Sequence, residues 1–467
     1  MKVVLIFPRK LDGSNHWCTH PIGIGYLAKS LKLQGFEDVH ILDLRLPKYK
    51  LPPEDLPKLI QKKFGKPDIV GFTMFSNSFS SVLRYSESLK KIFPNCIITV
   101  GGPHAIYEPE DILIRNQFVD IVFNGEGEET LPELLRRIQN NQNIYDLPNI
   151  SFRNCEKIIN NPRHFIDDLD KVPMPDWDLI EVNEYPLTPV GIFTKRRKVA
   201  PIITTRGCPY PCTYCGAPKS MGKKIRTRSP EKVVEEIEYL VSKFGIEEIH
   251  FWDDNITFDK EHIINLCREI KRAGLHKKIV WACSNGVRLD RLDEEIIKEM
   301  ESAGCYYFLV GIESGSERVL KIMKRASLAN TKTIQEKLDM IKKHSKIRVL
   351  GAFIIGFPGS TPEDDEESIK FALKLPLDKV AFNIFMPYPG SDEFNKLKFQ
   401  GIKINIDELN YHKPKAYLPP GRTSKDIRLK VLKGLFLFYI RPKILIGVLK
   451  EIKSLSQIIM IIRRLIS

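Results

Sequence analysis

Arg206 to Pro218 reads RGCPYPCTYCGAP, which sets Cys208, Cys212 and Cys215 in C-x3-C-x2-C spacing. Thiolates are soft ligands, so three on one short loop select zinc, copper(I) or an iron-sulfur cluster over magnesium or calcium. A structural zinc site closes with a fourth Cys or His nearby, and none stands between Thr204 and Arg228. Three thiolates on a four-iron cluster leave one iron open to a substrate or cofactor. The apolar run VAPIIT, Val199 to Thr204, precedes the loop, and the helical pattern SPEKVVEEIEYLVSKF follows from Ser229. The loop therefore caps the carboxyl end of a strand, which in a β/α barrel is the catalytic face.

Working outward, apolar strand runs recur at Glu248–Trp252, Ile279–Cys283, Tyr307–Gly311, Val349–Ile355 and Lys379–Phe385, with helical stretches between them. With the strand that leads to the cysteines, these make six β/α units over residues 199–400, a partial TIM-type (β/α)6 barrel open on one side. Each strand ends in polar or glycine-rich residues. After the second come Asp253, Asp254 and Asn255, after the third Ser284 and Asn285, after the fourth Glu313, Ser314 and Ser316, and after the fifth GFPGST from Gly356. Carboxylates in such a place accept hydrogen bonds from an ammonium or a ribose. Asp253 and Asp254 equally suit the N-cap of the helix that follows. Arg228 is a further candidate partner for a ligand carboxylate or amide.

Before the barrel, residues 1–145 alternate strand and helix from KVVLIF onward, and the strands are too apolar to face water. That pattern is an α/β, doubly wound, Rossmann-like parallel sheet, which binds ligands at the carboxyl ends of its strands. Three loops stand there: FSNSFSS with Ser76, Asn77 and Ser81; GGPHA with Gly101, Gly102 and His104; and GEGE with Gly125 and Glu126. Glycines let backbone approach a ligand, and serines offer small hydroxyls. Taken singly, each loop is an ordinary turn. Asp38, His40 and Asp43 form D-x-H-x-x-D, but His40 falls inside a strand and reads as a strand residue. Residues 146–198, with a Pro-rich run at Pro173–Pro175 and Trp177, read as a linker and strap between domains.

C-x3-C-x2-C with Tyr214 just before the last Cys resembles the signature of radical S-adenosylmethionine (SAM) enzymes. The three loops in order, PIGIGYLA from Pro21 and GEGEETLPELL from Gly125 resemble the cobalamin-binding domain fused to such barrels. The resemblance implies that the three Cys hold a 4Fe-4S cluster whose open iron chelates the amino and carboxyl groups of SAM, and that an electron cleaves SAM to a 5′-deoxyadenosyl radical. It implies SAM contacts from Asp253, Asp254, Ser284, Glu313, Ser314, Ser316 and Gly356. Cobalamin contacts are implied from Ser76, Asn77, Ser81, Gly101, Gly102, His104, Gly125 and Glu126. The reaction it implies is methylation of an unactivated carbon in a small-molecule or lipid-like substrate, with an electron donor such as ferredoxin or flavodoxin. Some members of the resembled family instead perform an oxidative cyclisation. A tRNA methylthiotransferase would need a second cluster, for which Cys18, Cys96 and Cys155 are the N-terminal candidates on no matching motif. A non-catalytic iron-sulfur or corrinoid carrier is the remaining alternative.

An apolar fraction of 43% in 467 residues suits two or three packed domains, not a disordered chain. MKVVLIFPRKLDG turns charged before a signal-peptide core could form, so the expected compartment is the reducing cytoplasm. The formal charge of +14 is concentrated late: residues 421–467 hold 11 Lys+Arg against 2 Asp+Glu, 11 − 2 = +9. Residues 401–467 read as a basic helical tail in which aliphatic and basic residues alternate. Two readings stay open for it, helices packed on the barrel and a peripheral anchor on anionic lipid. No interleaved aromatics favour nucleic acid.

Overall fold

The structure is a computed structural model that describes residues 1–11, 18–185, 194–410 and 414–451. The chain divides into two compact units, residues 1–186 with 219–221, and residues 187–218 with 222–467.

In the first unit, β1 (Val3–Phe7), β2 (Val39–Asp43), β3 (Ile69–Thr73), β4 (Ile97–Gly101) and β5 (Ile121–Phe123) form a parallel sheet in the order β2-β1-β3-β4-β5. Helices cover both faces of such a sheet, which is why its strands are nearly unbroken apolar runs. Val3, Leu5 and Ile69 meet Ile24, Leu31, Leu134 and Leu135 of the covering helices in one core. Residues 146–198, expected as a linker with short strands, open on two such strands. A hairpin of β6 (Ile150–Asn154) and β7 (Lys157–Asn160) extends the same sheet in antiparallel fashion past β5. Further along, the Pro-rich strap lies tight on the helix Ile22–Leu33: a Cβ at Gly25 would meet Pro175 Cβ at 2.9 Å, and Asp176 N donates to Gly25 O at 2.9 Å. Trp177 is fully buried there.

In the second unit, β8 (Val199–Ile202) leads to a short antiparallel pair, β9 (Thr205–Arg206) and β10 (Arg226–Thr227), which flanks the cysteine loop. Four longer strands follow β11 (Glu248–Phe251): β12 (Val280–Val287), β13 (Cys305–Glu313), β14 (Arg348–Ile355) and β15 (Lys379–Ile384). The main sheet runs β15-β14-β13-β12-β11-β8, all parallel, and the two end strands do not pair with each other. This is the six-stranded, open β/α wall that the alternation predicts. Its first helix, Pro230–Phe244, shows why the units form where they do. Ser229 accepts from Lys232 N, Pro230 fits the first turn, and Gly245 ends the helix at φ +65°.

The strands depart from regular register at the carboxyl end of the wall. β12 slips between Cys283 and Val287, and β13 slips between Gly311 and Glu313. Such bulges re-aim side chains. Glu313 is held at φ +71°, a conformation uncommon for a residue with a Cβ.

The helix Ser424–Tyr439 packs on this unit through Ile427, Gly434 and Phe438. A Cβ at Gly434 would meet the Phe382 ring at 2.7 Å, so glycine is required where helix and strand approach. No described helix is long and apolar enough to cross a membrane.

Candidate active site

Cys208, Cys212 and Cys215 lie on the loop after β9, all half-buried and none in a disulfide. Gly207 sets the loop's direction at φ +104°, where a Cβ would run into Lys224 O at 2.2 Å. The loop is tied at three points: Cys208 N to Gly222 O at 3.0 Å, Cys215 N to Cys212 O at 3.1 Å, and Thr213 N to Met323 O at 3.2 Å. Among the described residues no group of three or more His, Cys, Asp or Glu is arranged to hold a single metal ion. The donor set suits a cluster better, since there each thiolate binds its own iron. Burial pushes the Cys215 thiol up to about 12, with the nearby Asp254 carboxylate adding to it.

Two arginines stand by the neighbouring sulfur of Cys212. Arg325 Nη1 lies 3.6 Å from Cys212 Sγ and 3.0 Å from the Tyr214 hydroxyl, and its Nη2 donates to Gly311 O. Arg288 Nη1 lies 4.0 Å from the same sulfur, its guanidinium stacks 3.5 Å over Tyr210, and Asp290 holds it at 3.0 Å. Glu313 faces Arg325 at 4.0 Å. Burial raises the Glu313 carboxyl, and Arg325 and Tyr214 work against that rise. Burial disfavours the Arg325 charge, yet Tyr214, Glu313 and Cys212 together hold it firmly protonated.

Beside this constellation, Asp253 ends the strand next to the cysteine strand and clamps the chain ahead of Gly207. Its Oδ1 accepts from Thr204 N at 2.9 Å, from Thr204 Oγ1 at 2.8 Å and from Thr205 N. Asp253 and Asp254 do not cap the next helix; Asp259 does so. Burial, then Asp253, pushes the Asp254 carboxyl up to about 6. Asp253 Oδ2, both amide atoms of Asn255, Thr257 Oγ1 and Ser284 Oγ are buried polar atoms without a hydrogen-bond partner in the protein. Orphaned polar atoms in such number fit a polar ligand that meets them.

Several sequence candidates have partners within the chain. Ser314 Oγ pairs with Ser368 Oγ at 3.1 Å, and Ser316 Oγ donates to Asp364 at 2.6 Å, so both serines fasten β13 to the helix Pro362–Lys374. Gly356 is crowded by the tail helix, where its Cβ would meet Ile427 Cδ1 at 3.0 Å. Arg228, the further candidate partner for a ligand carboxylate or amide, has partners within the chain. It is buried, 2.6 Å from the fully buried Glu236 and 3.0 Å from Ile203 O. Arg288 and Arg325 carry no motif and escape a reading of the sequence.

In the first unit, His104 is fully buried, shares a 3.1 Å hydrogen bond with Ser76 and meets the Phe79 ring edge-on at 5.1 Å. Ser81 accepts from Leu11 N at 3.2 Å. Gly102 sits at φ +95° against Thr73 Oγ1, and Gly125 against Asn149 Oδ1, so both glycines answer to their own chain. Glu126 accepts from Ile166 N at 2.7 Å and anchors the start of the strap. Asn77, after β3, and Gly101, the last residue of β4, are half-buried, and Phe75 is exposed. His40 bonds Asp38 at 2.8 Å and stacks on Phe64 at 4.3 Å, as a strand residue does. Cys96 neighbours Lys90, Asp120 and Asp68 at the amino end of the sheet, and Cys18 neighbours Asp43 and Arg45 at the carboxyl end, so the two cannot share a cluster.

A cysteine trio at the carboxyl end of an open β/α wall, in one chain with a doubly wound domain, is the architecture of a cluster-dependent barrel enzyme with a second ligand-binding module. The chain belongs to the radical SAM enzymes that carry a B12-binding domain, and SAM, an iron-sulfur cluster and cobalamin are that family's cofactors. The Radical SAM superfamily model matches residues 202–372 and the B12 binding domain model matches residues 13–135. An uncharacterised methyltransferase of Pyrococcus horikoshii is 32% identical over 461 residues, 96% of this chain and 94% of that protein. The cytidylyl-2-hydroxyethylphosphonate methyltransferase of Streptomyces wedmorensis is 30% identical over 442 residues, 84% of this chain and 80% of that one. Among solved structures, the radical SAM methyltransferase TsrM from Kitasatospora setae, with cobalamin and a 4Fe-4S cluster bound, superposes with a TM-score of 0.69. It covers 92% of this chain and 81% of its own at 18% identity, a likeness of fold.

Proposed function

We propose that this enzyme transfers a methyl group to an unactivated carbon of a small-molecule or lipid-like substrate. The observation that carries the reading is Arg325, held by Tyr214 and Glu313 against the sulfur of Cys212, together with the orphaned polar atoms that follow β11 and lie on β12. When bound, the cluster with SAM supplies radical chemistry and cobalamin supplies a transferable methyl group. Cys208, Cys212 and Cys215 would hold the cluster as thiolates. Arg288 and Arg325 balance their charge in a half-buried loop, as charge-assisted hydrogen bonds to sulfur do. Asp253 Oδ2, Asn255, Thr257 and Ser284 would meet the polar groups of SAM. Asp254, pushed up to about 6, is placed to hold or give up a proton near neutral pH. The electron comes from a donor of the ferredoxin or flavodoxin type. Both relatives described above are methyltransferases by name, which supports methylation over cyclisation.

The test is anaerobic purification with cobalamin supplied, followed by metal analysis, optical spectra and product mass. About four irons per chain, a corrinoid spectrum, SAM cleavage and a product heavier by one methyl are expected. About eight irons would indicate a second cluster. A product lighter by hydrogen would replace methylation with cyclisation, and a loaded protein unable to cleave SAM would be a carrier.

A further inference from the structure

The helix Ser424–Tyr439 is apolar on two opposite sides, and the protein covers only one. Ile427, Gly434 and Phe438, spaced i, i+7, i+11, face the barrel wall. Leu429, Phe436 and Ile440 repeat the same spacing two residues on, which turns them about 200° away on a helix of 3.6 residues per turn. These three are 54%, 64% and 53% exposed. A stripe needed only for packing on the barrel does not recur on the far side. The next helix, Pro442–Leu449, reads PKILIGVL and buries none of its residues, with Leu445, Ile446 and Leu449 all exposed.

Cations frame this apolar surface. Lys425 lies within a turn of Leu429 on its side of the helix, Lys433 on the same side is paired with Glu366 at 2.7 Å, and Lys443 and Lys450 bracket the second helix; all four are exposed. Residues 427–450 contain six Lys and Arg and no Asp or Glu. Aqueous solvent gives no return for exposed leucine and phenylalanine flanked by lysines. An anionic bilayer surface accommodates both, the apolar groups at the acyl boundary and the ammonium groups among phosphates. The helices are short and charged, so they lie on a bilayer and do not span it.

Other residues of the same stretch hold it to the wall. Tyr439 exchanges hydrogen bonds with Val380 N and O at 3.2 and 2.9 Å, Arg441 donates to Leu373 O at 3.0 Å, and Lys379 meets Glu451 at 2.6 Å. The exposed surface is therefore fixed to the catalytic unit and not carried on a free tail. We propose that residues 425–450 dock this enzyme on anionic membrane, with Leu429, Phe436, Ile440, Leu445, Ile446 and Leu449 entering the interface. This inference does not depend on the reaction catalysed.

Co-sedimentation of the full-length, cofactor-loaded protein with lipid vesicles tests it. Expected are binding to phosphatidylcholine vesicles containing phosphatidylglycerol, little binding to phosphatidylcholine alone, and release by salt. A Lys425→Gln, Lys443→Gln, Lys450→Gln variant should lose roughly a hundredfold in partitioning, at about fivefold per cation near the surface. A Phe436→Ser, Leu445→Ser, Ile446→Ser variant should lose binding while melting and iron content stay those of the parent, because these side chains leave the core intact. No binding to either vesicle overturns the proposal. So does equal binding to both, or a parent that is a dimer in solution and turns monomeric in the serine variant, since the surface would then belong to a second copy of this chain.

Discussion

Arg325 Nη1 stands 3.6 Å from the sulfur of Cys212, though 113 residues separate them in the chain. Lys324 and Ala326, on either side of Arg325, both have positive φ, at +55° and +52°. The backbone is bent at both neighbours to deliver one guanidinium to one thiolate, and strain of that kind collects at functional sites.

Arg325→Gln keeps a hydrogen-bond donor and removes the charge. A charged hydrogen bond contributes about 1.5–3 kcal/mol, so SAM cleavage should fall by about ten- to a hundredfold. With a positive charge gone from beside the sulfur, the cluster should also become harder to reduce. Potentiometry of the reconstituted variant checks the second point, and an unchanged potential would remove Arg325 from the site.

Arg228 and Glu236 form a buried pair at 2.6 Å. Breaking such a pair from one side costs about 3–5 kcal/mol, whereas replacing both partners by apolar residues is close to neutral. Arg228→Met should lower the midpoint of urea unfolding markedly, and Arg228→Met with Glu236→Leu should recover most of it. A ligand-binding role for Arg228 would leave stability unchanged and impair SAM binding instead.

Burial lowers His20 and His262 to about 4, so both are neutral in the folded protein. A depressed histidine stabilises above its ordinary value near 6.5, and that contribution is lost as pH falls toward 4, because the unfolded chain takes up the proton first. Between pH 7 and 5 each should remove about 2 kcal/mol of stability. Urea titrations at the two pH values should show His20→Gln losing less on acidification than the parent does.

Gly207→Ala places a Cβ where Lys224 O already stands, at a φ that L-residues avoid. The strain, about 1–3 kcal/mol, falls on the cysteine loop. Iron content after reconstitution should drop well below that of the parent while far-UV circular dichroism stays the same.

The parallel strands were legible because a strand covered on both faces is a nearly continuous apolar run, as in Ile69–Thr73 and Arg348–Ile355. The cysteine trio was legible because its ligands are local. Arg288 was not, since its relation to Cys212 spans 76 residues and no spacing rule reaches that far. Ser314 and Ser316 follow a buried strand, as ligand contacts do, and their hydroxyl bonds to the neighbouring helix were not legible, because those partners lie 54 and 48 residues away. For the glycines of the first unit, close approach of a chain to itself asks for the same residue as close approach to a ligand, so sequence alone does not separate the two demands.

Asp253 divides its carboxylate unequally, three hydrogen bonds to one oxygen and none to the other. Whatever molecule settles on the idle oxygen shares a single planar group with the amides of Thr204 and Thr205, just upstream of the thiols. Any effect that a ligand on the idle oxygen has on the hold of Thr204 and Thr205 is returned by that loop with the same free energy, whichever partner arrives first.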